Sequence, residues 1–394
     1  MNSIRFNNIL IVLASIPLLT LFLADIAHCD YRITPTLTIS EIYDSNIYST
    51  PVKVQDYITR VGTNIDAQYK GSNINIKMLY IIQINILAQN SAEDTVTQDG
   101  NLYINLDRWF RNFFKEANVA VTEDFTFTPE LKDYYFDEKK GQVGPLSSYG
   151  VRTKRTNAYR NAFSIKFIFP FSERLSLDTK YSNIFTEYSD PALNDNITHV
   201  LSTGTSYKFT TDTLYSNIGI TDNRADGISS NIYSAIAGVR HSFTPVTLVD
   251  TNAGVERLDD DNNSDGVSTL KSEIRFSIRS KSYTYNAGYS KKLNPLSGIS
   301  AIPTVAKLFY INVRGAHSVN STTSVGANYA INESIEDRTV DTHSYNLTAG
   351  LSHTIRKWLQ WKLSASHFKQ VSKTEAAKDI QRDQIMLQFL TTWN

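Results

Sequence analysis

Hydrophobic residues recur at every second position in about eighteen short stretches of this chain. This alternation limits the folds that the chain can adopt more than any other feature of the sequence. In the clearest stretch Ile76, Ile82 and Ile84 share one phase, whereas Asn75 and Asn85 share the other. Successive side chains of a β-strand point to opposite faces, so this pattern is typical of a strand with lipid on one side and water on the other. The repetition predicts an all-β fold, a transmembrane antiparallel up-and-down β-barrel.

The N-terminus has the pattern of a secretory signal peptide. Arg5 precedes the fifteen-residue apolar stretch Ile9–Leu23, which is followed by Ala27–Cys29. This stretch is shorter than the roughly 20 residues of a membrane-spanning helix. We expect cleavage after residues 1–29, leaving residues 30–394 as one barrel domain; the alternative is a lipoprotein signal acylated at Cys29. Because that cysteine is the only one, cleavage would leave no thiol for a disulfide, for catalysis or for a metal.

Composition agrees with an exported barrel. The chain has 39 basic and 39 acidic residues, so nucleic acid is not an expected partner. Tyr (22) and Phe (19) are frequent, while the mean hydropathy of −0.28 is too low for a bundle of membrane helices and compatible with a wet lumen. Expected partners are outer-membrane lipid, lipopolysaccharide and the barrel-assembly machinery of a Gram-negative bacterium.

The connections between strands alternate in length. Short turns are predicted at 70–72, near Lys115, and at 170–173, 210–212, 244–246, 280–281, 318–321 and 355–357. Longer polar loops are predicted at 41–55, 90–100, 129–155, 189–196, 222–227, 258–266, 292–304, 332–340 and 371–378. These eight turns and nine loops connect eighteen strands, with both termini on the short-turn, periplasmic side. Sixteen strands is the alternative, because the segment 101–127 has the weakest pattern.

Aromatic residues support this orientation. Six of them fall at predicted strand ends beside short turns, where a girdle should meet the periplasmic lipid interface: Phe110, Phe169, Phe209, Phe243, Trp358 and Trp393. The last stretch, 385–393, alternates to its end and resembles the terminal strand that barrel-assembly machinery recognises. It departs from that signal because Asn394 follows the aromatic residue.

The beginning of the predicted barrel resembles a known group. Tyr31–Asn46 reads YRITPTLTISEIYDSN and is followed after a gap by Asp56–Val61. The segment is similar to the opening of the porin-like β-barrel proteins associated with exosortase and PEP-CTERM systems, in which a Tyr-Asp-x-Asn element precedes a strand that begins with Asp and an aromatic residue. The resemblance implies an outer-membrane protein encoded near exopolysaccharide synthesis and export, with polysaccharide or export-system components as further candidate partners, and it implies no mechanism.

One predicted loop contains half of a calcium-binding pattern. Asp261, Asn263 and Asp265 alternate ahead of Gly266, so that their oxygens could converge on a hard cation. Position twelve of the pattern is Ser272, and the bidentate Glu is therefore missing. A solvated acidic loop is the simpler interpretation, and weakly bound calcium is the alternative; no other cofactor is expected.

Charged residues recur on the phase opposite the lipid-facing residues and therefore point into the predicted lumen. They are Arg60, Asp66, Arg160, Lys166, Asp178, Lys180, Arg240, Lys271, Glu273, Arg275, Arg314 and Lys362. Charges of both signs favour a hydrated interior with cross-strand ion pairs over a filter of a single sign. These pairs would either brace the wall or line a selective pathway.

Three hypotheses of function follow. The first is a porin-like conduit for exopolysaccharide or small solutes, since eighteen strands leave room for an aqueous channel. The second is a non-conducting structural or docking barrel, whose lumen would be plugged and braced by charges. The third is an enzyme at the membrane rim, which needs a Ser-His or Asp-His pair within hydrogen-bond reach. Because the chain lacks Gly-x-Ser-x-Gly, His-Glu-x-x-His and a phosphate-binding Gly loop, we expect no enzymatic activity.

Overall fold

The structure is a computed structural model. It describes residues 30–111, 113–114, 116–128, 136–137, 142–143, 156–191, 195–225, 228–260, 263–294, 304–335, 341–374 and 379–393. The predicted signal peptide, residues 1–29, lies outside this range, so its cleavage stays a prediction.

Nearly all of the described chain is β-strand. The strands are β1 (Asp30–Asp44), β2 (Asp56–Lys70), β3 (Asn75–Leu87), β4 (Thr95–Asn105), β5 (Asn118–Thr128), β6 (Phe136–Asp137), β7 (Gln142–Val143), β8 (Ala158–Pro170), β9 (Leu175–Tyr188), β10 (Asn196–Lys208), β11 (Asp212–Ala225), β12 (Ile228–Thr244), β13 (Thr247–Asp260), β14 (Asn263–Arg279), β15 (Tyr283–Asn294), β16 (Thr304–Ala316), β17 (Ser321–Ser334), β18 (Asp341–Arg356), β19 (Leu359–Ser372) and β20 (Ile380–Thr392). One short helix, α1, covers Asp107–Phe110, and a single 3-10 turn covers Ser91–Glu93. Among the described residues, no helix is long and apolar enough to cross a membrane.

Eighteen of these strands form one closed barrel, which confirms the predicted fold and strand count. Each strand pairs antiparallel with its neighbours in the chain, and β5 pairs directly with β8 because β6 and β7 form a small separate hairpin. The barrel closes where Thr36–Asp44 of β1 pairs with Gln384–Thr392 of β20. The predicted weak segment 101–127 supplies parts of both β4 and β5.

The two ends of the barrel differ. At the short-turn end lie Asp30, the end of β20, the β4–β5 connection that carries α1, and the connections near residues 71–74, 171–174, 209–211, 245–246, 280–282, 317–320 and 357–358. The other end, here called the long-loop end, carries the remaining connections. Three predicted loops are mostly strand. Residues 95–100 belong to β4, residues 222–225 belong to β11, and the predicted loop 258–266 is largely strand because β13 reaches Asp260 and β14 begins at Asn263. Residues 95–100 and 222–225 are mostly polar, but a neighbouring strand pairs with their backbone.

The outer face of the barrel is apolar over most of its height. Ile218, Val255 and Leu270 leave 60%, 59% and 56% of their surfaces exposed. Many neighbouring strands contribute the same kind of residue at the same phase, so the exposed surface is continuous. A surface of this extent is unfavourable in water and suits the hydrocarbon of a bilayer.

The inner face holds the buried residues, and they concentrate toward the long-loop end. Along β1 the inward residues are exposed at Arg32 but buried at Thr38, Ser40 and Asp44. Three small apolar clusters lie on the same half of the barrel: Ile42, Ile47, Ile58 and Leu87; Ile232, Leu258 and Leu293; and Ala306, Leu308 and Ala330. The interior is therefore packed toward the long-loop end and more open toward the short-turn end.

Candidate functional site

The candidate site is the barrel interior. All twelve charged residues that the alternation assigns to the lumen have the phase of the inner face: Arg60, Asp66, Arg160, Lys166, Asp178, Lys180, Arg240, Lys271, Glu273, Arg275, Arg314 and Lys362. Their neighbours in each strand are exposed apolar residues of the outer face, such as Val61 beside Arg60 and Leu363 beside Lys362. Whether these charges serve transport stays a prediction.

The best-connected part of the wall is centred on Asp250 of β13. This buried carboxylate lies 2.8 Å from Arg240 Nη2 and accepts a 2.6 Å hydrogen bond from Tyr215 Oη. The guanidinium of Arg275 lies 4.0 Å from it on the other side. Asp250 thus partly neutralises two cations, Arg240 on β12 and Arg275 on β14. Since the Arg240 side chain remains half exposed, it can still meet solvent or solute.

Two further acids complete this charged wall. Glu256 is almost fully buried; it lies 2.8 Å from Lys271 Nζ and accepts the Leu293 N–H at 2.6 Å. Glu273 lies 3.0 Å from Arg275 Nε and accepts a 3.2 Å hydrogen bond from an amide, that of Asn252. Buried charges are tolerated when they are paired and hydrogen-bonded, and these contacts meet that condition.

The opposite wall uses amides as well as charges. Arg60 Nε donates to Asn85 Oδ1 at 2.6 Å, across β2 and β3. Asn101 Nδ2 donates to Asp124 Oδ1 at 2.5 Å, across β4 and β5. Lys166 of β8 stands directly opposite Lys180 of β9, which is an unfavourable pairing for two cations unless water screens it.

The first connection at the long-loop end folds into the barrel. Ile47 is only 2% exposed and packs against Ile42, Ile58 and Leu87, which all point inward from the wall. Its N–H donates to the carbonyl of Val54 at 2.9 Å and closes the loop on itself. We call residues 45–55 the inner loop. It occupies space inside the long-loop half of the barrel.

The residues of the Tyr-Asp-x-Asn resemblance hold this inner loop in place. Asn46, which is fully buried, donates through Nδ2 to the carbonyls of Thr50 (2.7 Å) and Gln381 (2.9 Å). Asp44 accepts the Asn46 N–H at 2.9 Å and pairs with the buried Arg382 of β20. The motif therefore ties the inner loop to the last strand of the barrel.

Asp56, the acid that begins β2, has a similar anchoring role on the other side of the inner loop. Its carboxylate accepts the backbone N–H groups of Gln89 and Asn90, each at 3.0 Å, and the Asn90 side-chain amide at 2.8 Å. These bonds fix the β3–β4 connection beside the inner loop. Both acids of the motif are thus structural anchors at the long-loop end.

The predicted aromatic girdle lies at the short-turn end. Phe169 and Phe243 are the last residues but one of β8 and β12. Phe209, Trp358 and Trp393 lie just beyond the ends of β10, β18 and β20. Phe110 is placed differently from the prediction, because it belongs to helix α1 and not to a strand end. The connection around α1 adds Trp109, Phe113 and Phe114; the ring of Phe114 lies 6.2 Å from that of Phe169 and the ring of Phe110 lies 6.3 Å from that of Phe167. The girdle role stays a prediction that this clustering favours.

Two other sequence predictions fall mostly outside the described residues. Asp261 of the calcium pattern is not described, and Asn263 and Asp265 belong to β14 and not to an open loop. Calcium binding stays a prediction. The long predicted loop 129–155 is described only at β6 and β7, so most of it lies outside the described residues.

Several histidines have partners of the kind that the rim-enzyme hypothesis requires. His241 lies 2.7 Å from Asp212, His367 lies 2.5 Å from Asp383, and His353 lies 2.7 Å from Ser321 Oγ. A nucleophile, a base and an orienting acid must meet in one place for such chemistry. In the described part of the chain none of these three pairs has a hydroxyl on one imidazole nitrogen and an acid on the other; Thr211 Oγ1 donates to Asp212 at 2.8 Å but does not bond His241. The expectation of no enzymatic activity stays a prediction.

The comparisons with known proteins concern the fold. No protein-family model matches the chain, and no curated protein is similar to it in sequence. Among solved structures, the chain is similar to Pseudomonas aeruginosa OccK2 (OpdF), with 10% identity, a TM-score of 0.47, and 91% of this chain and 98% of that one covered. It is also similar to Acinetobacter baumannii OccAB4, with 10% identity, a TM-score of 0.48 and coverage of 92% and 98%. A third similar structure is the outer membrane protein opdK from P. aeruginosa, with 9% identity and a TM-score of 0.47; the match covers 92% of this chain and 99% of that one.

Sequence reasoning missed Asp250 and Glu256, the most buried acids of the charged wall. Both have the inward phase of β13, so the alternation that identified Lys271 could also have identified them. It also missed the inner loop. Asp44 and Asn46 of the resemblance anchor this loop, but they do so through contacts with β20 that the local sequence does not show.

Proposed function

We propose that this protein is a porin-like channel of a Gram-negative outer membrane that passes small polar or charged solutes through a narrow pathway. One observation carries the proposal: the inner wall changes along its length. Toward the short-turn end it presents exposed charges such as Lys166 and Arg314, whereas toward the long-loop end it is packed around the inner loop and buried amides such as Asn332. A wide entrance leading to a narrow, hydrogen-bonding section is the form expected of a selective pore.

The charged wall favours a channel over a barrel that has only a structural role. Its acids are neutralised by neighbouring cations, yet Arg240 and Arg275 keep 50% and 34% of their side chains exposed. Partly exposed guanidinium groups on a rigid wall can form bidentate contacts with carboxylate or phosphate groups of a passing solute. The wall thus combines bracing with recognition.

A non-conducting barrel is the second candidate, and the packed long-loop half is the observation that favours it. Asn46, Ile47 and Gln370 are almost fully buried inside the barrel, as in a plugged lumen. In that case the charged wall would serve stability alone, and the barrel would act as a scaffold or docking platform in the envelope.

The finer assignments are part of the same proposal. Location in the outer membrane is supported by the closed barrel, the apolar outer face and the aromatic residues at one end. Lipopolysaccharide and the barrel-assembly machinery are then its expected partners. The link to exopolysaccharide export rests on the Tyr31–Asn46 resemblance, and within it a polysaccharide would be one candidate solute.

Single-channel recording in planar bilayers tests the proposal. The barrel, refolded in detergent and shown to be folded by its heat-dependent shift on gels, should produce stable, small current steps, which oligosaccharides or organic anions should reduce. A preparation that is folded by the same criterion and gives no current in repeated insertions would contradict the channel and favour the scaffold.

A further inference from the structure

A cavity of about 460 Å³ lies on the inner face at the short-turn end, between β2, β3, β4 and α1. Three cations line it: Lys70, Lys77 and Arg108. The remaining inward lining includes Tyr103 and three amides, and no carboxylate is present among the residues that line it. None of the residues considered for the transport pathway above belongs to this cavity.

The three cations are held near one another but are not neutralised. Arg108 Nη1 donates to the carbonyls of Gly71 and Ser72 at 3.2 and 3.4 Å, which fixes its guanidinium over the β2–β3 turn. Within the described part of the chain, Lys70 and Lys77 have no ion-pair partner. Backbone carbonyls orient the arginine without removing its charge, so the cavity carries a positive field.

Three acids neighbour the cavity but do not line it. Asp66 accepts a 3.3 Å hydrogen bond from Gln68. Asp107 accepts a backbone N–H from the start of β5 at 2.7 Å and the Asn105 side-chain amide at 2.8 Å. Asp30 stands opposite Lys70 in the β1–β2 register and is exposed at the strand end. These carboxylates keep their charge and weaken the positive field, but the charged groups that line the cavity itself are all cations.

We propose that this cavity binds the phosphate ester of a small sugar-sized molecule. A phosphate ester carries a charge of about −1.5 to −2 at neutral pH, which suits three cations better than a single carboxylate does. The ring of Tyr103 offers a stacking surface, and the amide of Asn75 offers hydrogen bonds to hydroxyl groups. The cavity is large enough for a monosaccharide phosphate. The idea that solutes bind in this cavity on their way through a channel rests on the proposed function, whereas binding of the phosphate ester itself does not.

Calorimetric titration tests the site directly. The folded barrel in non-ionic detergent is titrated with glucose 1-phosphate, with glucose as the uncharged control and galacturonate as the singly charged one. We expect saturable binding of the phosphate, weaker binding of galacturonate and none of glucose. The double variant Lys77→Gln/Arg108→Gln should bind the phosphate on the order of tenfold more weakly, because it loses two charge-assisted contacts.

The matched control is Lys281→Gln, which removes an exposed lysine from another turn at the same end. Unchanged binding by this control supports the site; a loss equal to that of the double variant means that only general surface charge is involved, which overturns it. Absence of binding to the parent, or equal binding of glucose, also overturns it. Conductance of the same preparations is recorded separately. Binding without current would leave this site standing and reject the channel, and current without binding would do the reverse.

Discussion

Asp44 and Arg382 form a buried ion pair across the seam where the first and last strands of the barrel meet. Arg382 Nε lies 3.0 and 2.9 Å from the two carboxylate oxygens of Asp44, and its Nη2 donates to the same group. The side chain of Arg382 is 6% exposed and that of Asp44 is 0% exposed. Because Asp44 also accepts the N–H of Asn46, closure of the barrel and placement of the inner loop share one carboxylate.

Replacing Asp44 by Asn should therefore destabilise the barrel markedly. The change removes the carboxylate that pairs with the buried Arg382 guanidinium, and loss of one partner of a buried pair costs about 3–5 kcal/mol. Urea unfolding in lipid vesicles, followed by tryptophan fluorescence, measures the change in the free energy of unfolding.

The control for this variant is Asp259→Asn, which breaks the exposed Arg257–Asp259 pair. Exposed pairs contribute little, so the control should unfold like the parent. Equal stability of Asp44→Asn and the parent would show that the seam does not depend on this ion pair.

Removal of the inner loop should widen the pathway. Replacing residues 48–53 by a short Gly-Ser linker takes away the segment that holds Ile47 against the wall, and conductance should rise roughly twofold or more as the open cross-section grows. The same kind of replacement at residues 91–93, an outer connection, is the matched control and should leave conductance as it was. Identical currents in both variants would place the constriction elsewhere.

The barrel itself could be predicted from the sequence because strand alternation is a local property. Each strand shows its phase in its own residues, as Ile82 and Asn85 do within β3, and the phase decides inside and outside without knowledge of any distant contact. Boundaries were less predictable. Polar positions such as 95–100 and 222–225 look like loop in isolation, yet pairing with a neighbouring strand satisfies their backbone groups.

The inner loop could not be predicted, because its position depends on contacts that are remote in sequence. Asn46 donates to the carbonyl of Gln381, 335 residues away, and Ile47 is buried by three different strands. Local polarity at 45–55 predicts an ordinary solvated loop. Likewise, the pairing of Lys271 with Glu256 follows from the strand register, which the alternation alone does not define.

Neutralising Lys271, Glu273 and Arg275 together should change ion selectivity. The triple Gln variant removes two positive charges and one negative charge from the inner wall, so the reversal potential in a salt gradient should shift toward cation preference. The control is Arg257→Gln, which removes a charge from the outer face of the adjacent strand. If selectivity is unchanged while the triple variant melts at a lower temperature, the charged wall is a brace only.

Tryptophan fluorescence should place the short-turn end at a lipid interface. All four tryptophans lie near that end: Trp109 follows the start of α1, Trp358 and Trp361 flank the β18–β19 turn, and Trp393 follows β20. Aromatic rings of a girdle rest at the level of the headgroups. In vesicles of brominated lipid, quenching should be strongest when the bromine lies near the headgroup and weak when it lies near the end of the acyl chain. Trp361, which is set further along β19, should account for most of the deep quenching, and Trp361→Phe should remove it. Strongest quenching from the bilayer centre would contradict the girdle and the orientation built on it.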